Sequence, residues 1–168
     1  KEDVALMKEI GVNSYRFSVS LARIYPNDEY TVNKEGVKFY VDLVAELRRL
    51  GIEPICTLYH WDMPLWLHER GGFQTSFAVE WFERFTKTMV DALSDQVQYW
   101  LTFNEPQIFV GHGYQIGEHA PFEKLPQKEI QAISRNVMLA HGKAVRIIRK
   151  YAKTLPKVGV ASTCDMLL

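Results

Sequence analysis

The sequence predicts an α/β fold of four parallel strands alternating with helices, half the complement of a (β/α)8 barrel. Three observations carry this expectation. Apolar stripes at helical spacing recur along the chain, each is followed by a short run rich in β-formers, and the chemistry-bearing polar residues collect just after those runs. Strands separated by whole helices need crossover connections, so the sheet they build is parallel, with helices packed against it.

The elements follow in order. Lys1-Glu2-Asp3 leads into Val4, Met7 and Ile10, which share one helical face with no capping residue ahead of them and read as a truncated helix. Ser14 to Ser18 (SYRFS) is the first strand. Val37, Tyr40, Val41, Val44 and Leu47 mark a helix, with Asn33 in capping position and Gly51 suited to a left-handed end. Ile55 to Tyr59 (ICTLY), bounded by Pro54, reads as a buried parallel strand. Val79, Phe82, Phe85, Met89 and Leu93 form a second helical face behind Thr75 and Ser76, leading to the strand Val97 to Phe103 (VQYWLTF). Ile130, Ile133, Val137, Ala140, Ala144 and Ile147 mark a third helix, and Lys157 to Ala161 (KVGVA) is the fourth strand. Met7, Met89 and Met138 are expected in the core, and Glu80, Glu83 and Asp91 on solvated helix faces.

The chain has 168 residues, 47% of them hydrophobic and 24% charged, which suits an ordered domain with a real core and argues against disorder. Twenty basic residues balance twenty acidic ones, so no global field recruits nucleic acid or an anionic membrane. No apolar run approaches the roughly 20 residues that span a bilayer, and the charged start does not resemble a signal peptide. Cys56 and Cys164 stand alone, without zinc-site spacing or disulfide density, so a reducing, cytoplasmic setting is expected. His112, His119 and His141 lack the close pairing of a metal site, and neither a metal nor another cofactor is expected.

Chemistry in a (β/α)8 barrel gathers at the C-terminal ends of the strands. Arg16 alternates with Tyr15 and Phe17 as if aimed into the barrel mouth; a structural arginine paired with a barrel carboxylate fits the same pattern. His60, Trp61 and Asp62 sit together on a loop stopped by Pro64. Sugars suit such a loop, because their hydroxyls need polar partners while their C–H faces stack on aromatic rings. Taken alone, the loop fits a buried, hydrogen-bonded His60 and a core-filling Trp61 slightly better. The strongest local signal is Thr102-Phe103-Asn104-Glu105-Pro106. Beside Phe103 and Pro106, Glu105 is expected to be partly desolvated, which would raise its pKa and favour the protonated form that a general acid needs. Asn104 offers both a donor and an acceptor to a neighbouring hydroxyl. Glycoside cleavage with retention needs two carboxyl groups about 5–5.5 Å apart, and Glu105 is one.

The ordered set YRFSxS, LYHWDMP, TFNEP, GYxxGxHAP and LAHGKAV resembles the successive landmarks of glycoside hydrolase family 1, β-glucosidases above all, from Lys1 to about Ala161. The resemblance implies that Glu105 is the acid/base and that Asn104 bonds the hydroxyl next to the anomeric carbon. It implies further that His60 bonds another hydroxyl of that ring, that Trp61 walls the pocket, and that Arg16 keeps a nucleophile carboxylate charged. Gly113, Tyr114, Gly117, Ala120 and Pro121 match a loop above the barrel. The family usually has Trp where Leu21 stands, Gly where Phe122 stands, and often His at Arg135.

By the same resemblance, residues 1–168 are one partial catalytic domain, an N-terminal half that lacks the family's first strand and its C-terminal half. The family's Glu-Asn-Gly nucleophile motif has no counterpart in the sequence, and Asp165 is a poor substitute for it. The full-length enzyme is expected to hydrolyse terminal β-glycosidic bonds of small carbohydrates by the retaining route, and this chain alone to be inactive. A 6-phospho-β-glucosidase and a non-catalytic sugar- or protein-binding remnant are the alternatives. Unpaired strand edges lead us to expect self-association, or pairing with the missing barrel half.

Overall fold

In a computed structural model of the chain, residues 2–163 are described; Cys164 and Asp165 lie outside the described residues. Strands β1 (Ser14–Ser18), β2 (Glu53–Tyr59), β3 (Tyr99–Asn104) and β4 (Lys157–Ala161) lie side by side in chain order, every pair parallel. Helices α1 (Glu2–Glu9), α3 (Lys34–Arg49), α5 (Ser76–Leu93) and α7 (Gln127–Tyr151) alternate with them, as half of a (β/α)8 barrel requires. Three short helices follow strand ends or begin just after them: α2 (Leu21–Ile24), α4 (Leu65–Glu69) and α6 (Pro106–Val110). None of the described helices is long and apolar enough to cross a membrane.

The boundaries depart from expectation for local reasons. Pro54 bounds nothing: β2 starts at Glu53, and Pro54 pairs with Tyr15, because a proline near a strand's first residue costs only one ladder donor. β3 starts at Tyr99, since the Val97 N–H still closes the end of α5 on Leu93 O at 2.9 Å. Asn33 and Thr75 do occupy the N-cap positions of α3 and α5, but neither side chain caps its helix. Asn33 Nδ2 donates instead to Arg23 O at 3.0 Å and Thr75 Oγ1 to Gly72 O at 3.2 Å, tying each helix start to the turn before it. Gly51 takes the left-handed conformation expected of it, with φ 71°.

Burial follows the helical stripes with three corrections. On α7 the buried face runs from Ile130 to Ile148 rather than Ile147, since about five turns of roughly 3.6 residues separate those two positions. Met138, expected in the core, is 62% exposed, because its neighbour Val137 takes the inward position. Ile10 falls in the turn after α1 and is exposed, whereas Val4 is buried and Met7 packs partly against the core. Glu80 and Asp91 are exposed as expected. Glu83 is half-buried and accepts from Lys143 Nζ at 2.7 Å, pinning α5 to α7.

The core between sheet and helices is aromatic. Phe82 of α5 stacks on Phe103 of β3 with ring centroids 4.7 Å apart, Tyr59 and Phe73 close around both edge-on, and Phe109 stacks more distantly on Phe103 at 6.2 Å. Close approach is set elsewhere by a glycine. A Cβ on Gly36 of α3 would stand 2.4 Å from the Arg23 carbonyl oxygen, so α2 and α3 touch through their backbones. Gly36→Ala is expected to cost about 1–3 kcal/mol in urea unfolding; an unchanged midpoint would show that the two helices can part freely.

One irregularity in β3 decides what reaches the inner face. Thr102 Oγ1 shares a hydrogen bond with His141 Nδ1 of α7 at 2.7 Å, and the next residue, Phe103, packs on α5, so two consecutive side chains face the helices. The pairing with β4 shifts register between Leu101 and Asn104. Such a bulge resets the two-residue alternation, and Asn104 therefore emerges on the side opposite Thr102.

Candidate active site

Alternation on β1 is regular. Phe17 stacks toward Tyr40 of α3 at 6.1 Å, which leaves Arg16 and Ser18 on the inner face. Arg16 Nη2 donates to Oδ1 of Asn104, whose residue is only 4% exposed. Ser18 Oγ lies 2.8 Å from His60 Nδ1 just beyond the end of β2. Trp61 follows with φ 77°, a conformation that bulky residues rarely adopt. Its indole Nε1–H donates to Asn104 O at 2.8 Å, and its ring sits 5.5 Å from His60 and 5.4 Å from His119. Its only polar atom is thus used within the protein, and what Trp61 offers a ligand is a wall.

Glu105 sits where β3 turns into α6. Its φ of 44° is left-handed, its N–H donates to Ala161 O at 2.7 Å, and Pro106 opens the helix. Strain of order 1–3 kcal/mol at such a position persists only where the surroundings fix it. Phe103 does not wall the carboxyl, because its ring turns to the helices, and Glu105 is half-buried. The His60 imidazole titrates below its usual range: desolvation of its cation is the main cause, Arg16 adds repulsion, and Glu105 offsets part of both. Arg16, His60, Asn104 and Glu105 therefore form one electrostatic neighbourhood at the C-terminal ends of three adjacent strands.

Asp62 is a feature that sequence reasoning named without a role. Both carboxylate oxygens are buried out of good hydrogen-bonding geometry. Burial pushes its pKa up, although the nearby Ser20 hydroxyl and Leu21 N–H draw it partly back. On the helix side of the sheet, Trp61 also borders a cavity of about 270 Å³ with Tyr59, Met63, Phe109 and Tyr114. Among the described residues, no three His, Cys, Asp or Glu side chains gather in a way that could hold a metal ion.

The family model for glycosyl hydrolase family 1 matches residues 1–167. The chain belongs to this family. It is 39% identical to β-glucosidase A of Acetivibrio thermocellus over 150 residues, which cover 89% of this chain and 33% of the relative. It is 40% identical to the aryl-phospho-β-D-glucosidase BglC of Bacillus subtilis, with 90% and 32% covered. The solved β-glucosidase of Thermotoga maritima in complex with glucoimidazole superposes with a TM-score of 0.89 at 34% identity, covering 95% of this chain and 36% of that one. The chain spans about a third of the length of the curated relatives it matches.

Within this family 1 chain, the segment expected as a loop above the barrel is partly helical. Gly111–Ile116 continues α6 as a π-helical turn with Tyr114 buried, and only Gly117, at φ 77°, makes a left-handed turn. Gly113 serves a close approach instead, since a Cβ there would meet Ala120 O at 2.7 Å. Phe122, where the family usually has Gly, holds φ 63° and is 66% exposed. It accepts the backbone cost that glycine avoids, roughly 1–2 kcal/mol. Leu21, where the family usually has Trp, is fully buried. Two residues were given no role at the site by the sequence. Ser18 was findable, being two positions from Arg16 on the same strand face; His119 was not, because only the fold brings it against Trp61.

Proposed function

We propose that this chain supplies the acid/base half of a retaining β-glycosidase acting on small β-linked glucosides, as one partial catalytic domain spanning residues 1–168. The reading rests on the meeting of Arg16, Asn104 and His60 beside Glu105 at the ends of β1, β2 and β3. In this reading Glu105 protonates the leaving oxygen while a carboxylate outside this sequence attacks the anomeric carbon. Glu105 then removes a proton from the water that releases the sugar. Asn104 and His60 bond ring hydroxyls, Trp61 walls the pocket, and Arg16 keeps the attacking carboxylate ionised. Without that partner carboxylate, the 168-residue chain alone has no turnover.

Identity of 40% to a relative named as an aryl-phospho-β-D-glucosidase favours a second substrate, the 6-phosphorylated glucoside. Pairing of the open β1 and β4 edges with further barrel strands or a second copy, and a reducing, cytoplasmic setting for the free, buried Cys56, complete the proposal. The test is an assay of an aryl β-glucoside and its 6-phosphate, using this chain within a complete eight-stranded barrel. Release of the β anomer first is the expected result for whichever substrate is turned over. Release of the α anomer first, or undiminished turnover by the isolated chain, would overturn the proposal.

A further inference from the structure

We infer that Ser18 is a positioning residue: its hydroxyl donates to His60 Nδ1 and holds the ring as the neutral tautomer with its proton on Nε2. One N–H then faces the barrel mouth. The use made of that N–H, donation to a sugar hydroxyl oxygen, rests on the glycosidase function proposed for the chain; the Ser18–His60 assignment itself does not.

Ser18 and Arg16 share the inner face of β1, so the strand that delivers the cation also delivers the hydroxyl. Ser18 Oγ and His60 Nδ1 are 2.8 Å apart, and His60 is the sole hydrogen-bond partner of that hydroxyl among the described residues. A serine carries one proton and two lone pairs. If Nδ1 donated to Oγ, the serine proton would have no protein acceptor and would turn to solvent, whereas donation to Nδ1 keeps that proton within the pair and leaves only a spare lone pair to water. The doubly protonated ring would also have to donate through Nδ1. Arg16 from β1 opposes that cation, Glu105 from the end of β3 favours it, and Asp62 from the same loop borders the same recess. Rotating the ring by half a turn would put a carbon against Oγ, so the bond fixes which edge faces the barrel as well as the tautomer.

The two possible donors predict opposite titrations. A hydrogen bond donated to Nδ1 exists only while Nδ1 is unprotonated; it favours the neutral ring, and its loss must raise the His60 pKa. A bond donated by Nδ1–H would favour the cation, and its loss must lower it.

The experiment is 15N NMR of the histidines in the labelled 168-residue chain, its Ser18→Ala variant and its Ser18→Thr variant, across the His60 titration. Above the wild-type midpoint, Nδ1 is expected to carry the shift of an unprotonated acceptor and Nε2 that of a protonated nitrogen. Ser18→Ala is expected to raise the midpoint by about half to one pH unit, and Ser18→Thr, which keeps the hydroxyl, to return it. A protonated Nδ1 in the wild-type chain would overturn the inference without any variant, and so would a midpoint that falls or stays put in Ser18→Ala. The titration needs no turnover. If this pattern appears in a protein that never cleaves a glycoside, the Ser18 assignment stands and the proposed function falls.

Discussion

Replacing Glu105 with alanine, in a complete barrel containing this chain, is expected to lower kcat on an unactivated β-glucoside by about 10²- to 10⁴-fold, the usual worth of a positioned general acid. An aryl glucoside whose phenolate leaves unaided should suffer less in the first step and stall in the second, where a base must activate water. Azide needs no base, so it should restore turnover. The stereochemistry of that product separates the possible roles. Two successive inversions give a β-glycosyl azide if Glu105 is the acid/base. If Glu105 were instead the nucleophile, its loss would leave azide a single displacement and an α-glycosyl product. An α-glycosyl azide, or hydrolysis undiminished by the substitution, would rule Glu105 out as the acid/base.

The largest expected loss of stability comes from Phe82→Ala, at about 3–5 kcal/mol in urea-induced unfolding. Phe82 has no exposed surface, and its ring stacks on Phe103 at 4.7 Å while meeting Tyr59 edge-on and Phe73 and Phe85 at about 6 Å. Its neighbours are rigid rings anchored in different elements, β2, β3, α5 and the turn at Gly72–Gln74, so they cannot easily collapse into the space. Truncating Met138, on the exposed side of α7, should stay within about 0.5 kcal/mol. A Phe82→Ala cost below about 1 kcal/mol would mean that the aromatic cluster repacks as a liquid does, contrary to the density of ordinary protein cores.

The architecture was legible because it depends on spacing, which the sequence states directly. The apolar stripes on α3, α5 and α7 and the four β-forming runs needed only counting, and parallel order followed from the helices between them. Arg16 was legible for the same reason, since β1 alternates without interruption. What was hidden depends on contacts between distant segments. Asn33 and Thr75 stand where capping residues belong, yet their side chains find better partners in the preceding turn. The Phe103 ring, close to Glu105 in sequence, stacks on Phe82 on the helix side, because neighbours in sequence need not be neighbours in space. Trp61 illustrates the same limit: its left-handed backbone and its bond to the Asn104 carbonyl arise where a loop meets the end of β3 only after folding.

The register shift in β3 makes the site answer to arithmetic. Were the strand to keep its residue count but pair with β4 without the shift between Leu101 and Asn104, unbroken alternation would swing the asparagine amide in among the rings beneath the sheet and leave Arg16 without it. Every side chain needed for recognition would still be encoded, in the same order. Grafts that keep the motif letters but restore regular pairing with the neighbouring strand would therefore preserve the signature and lose the pocket.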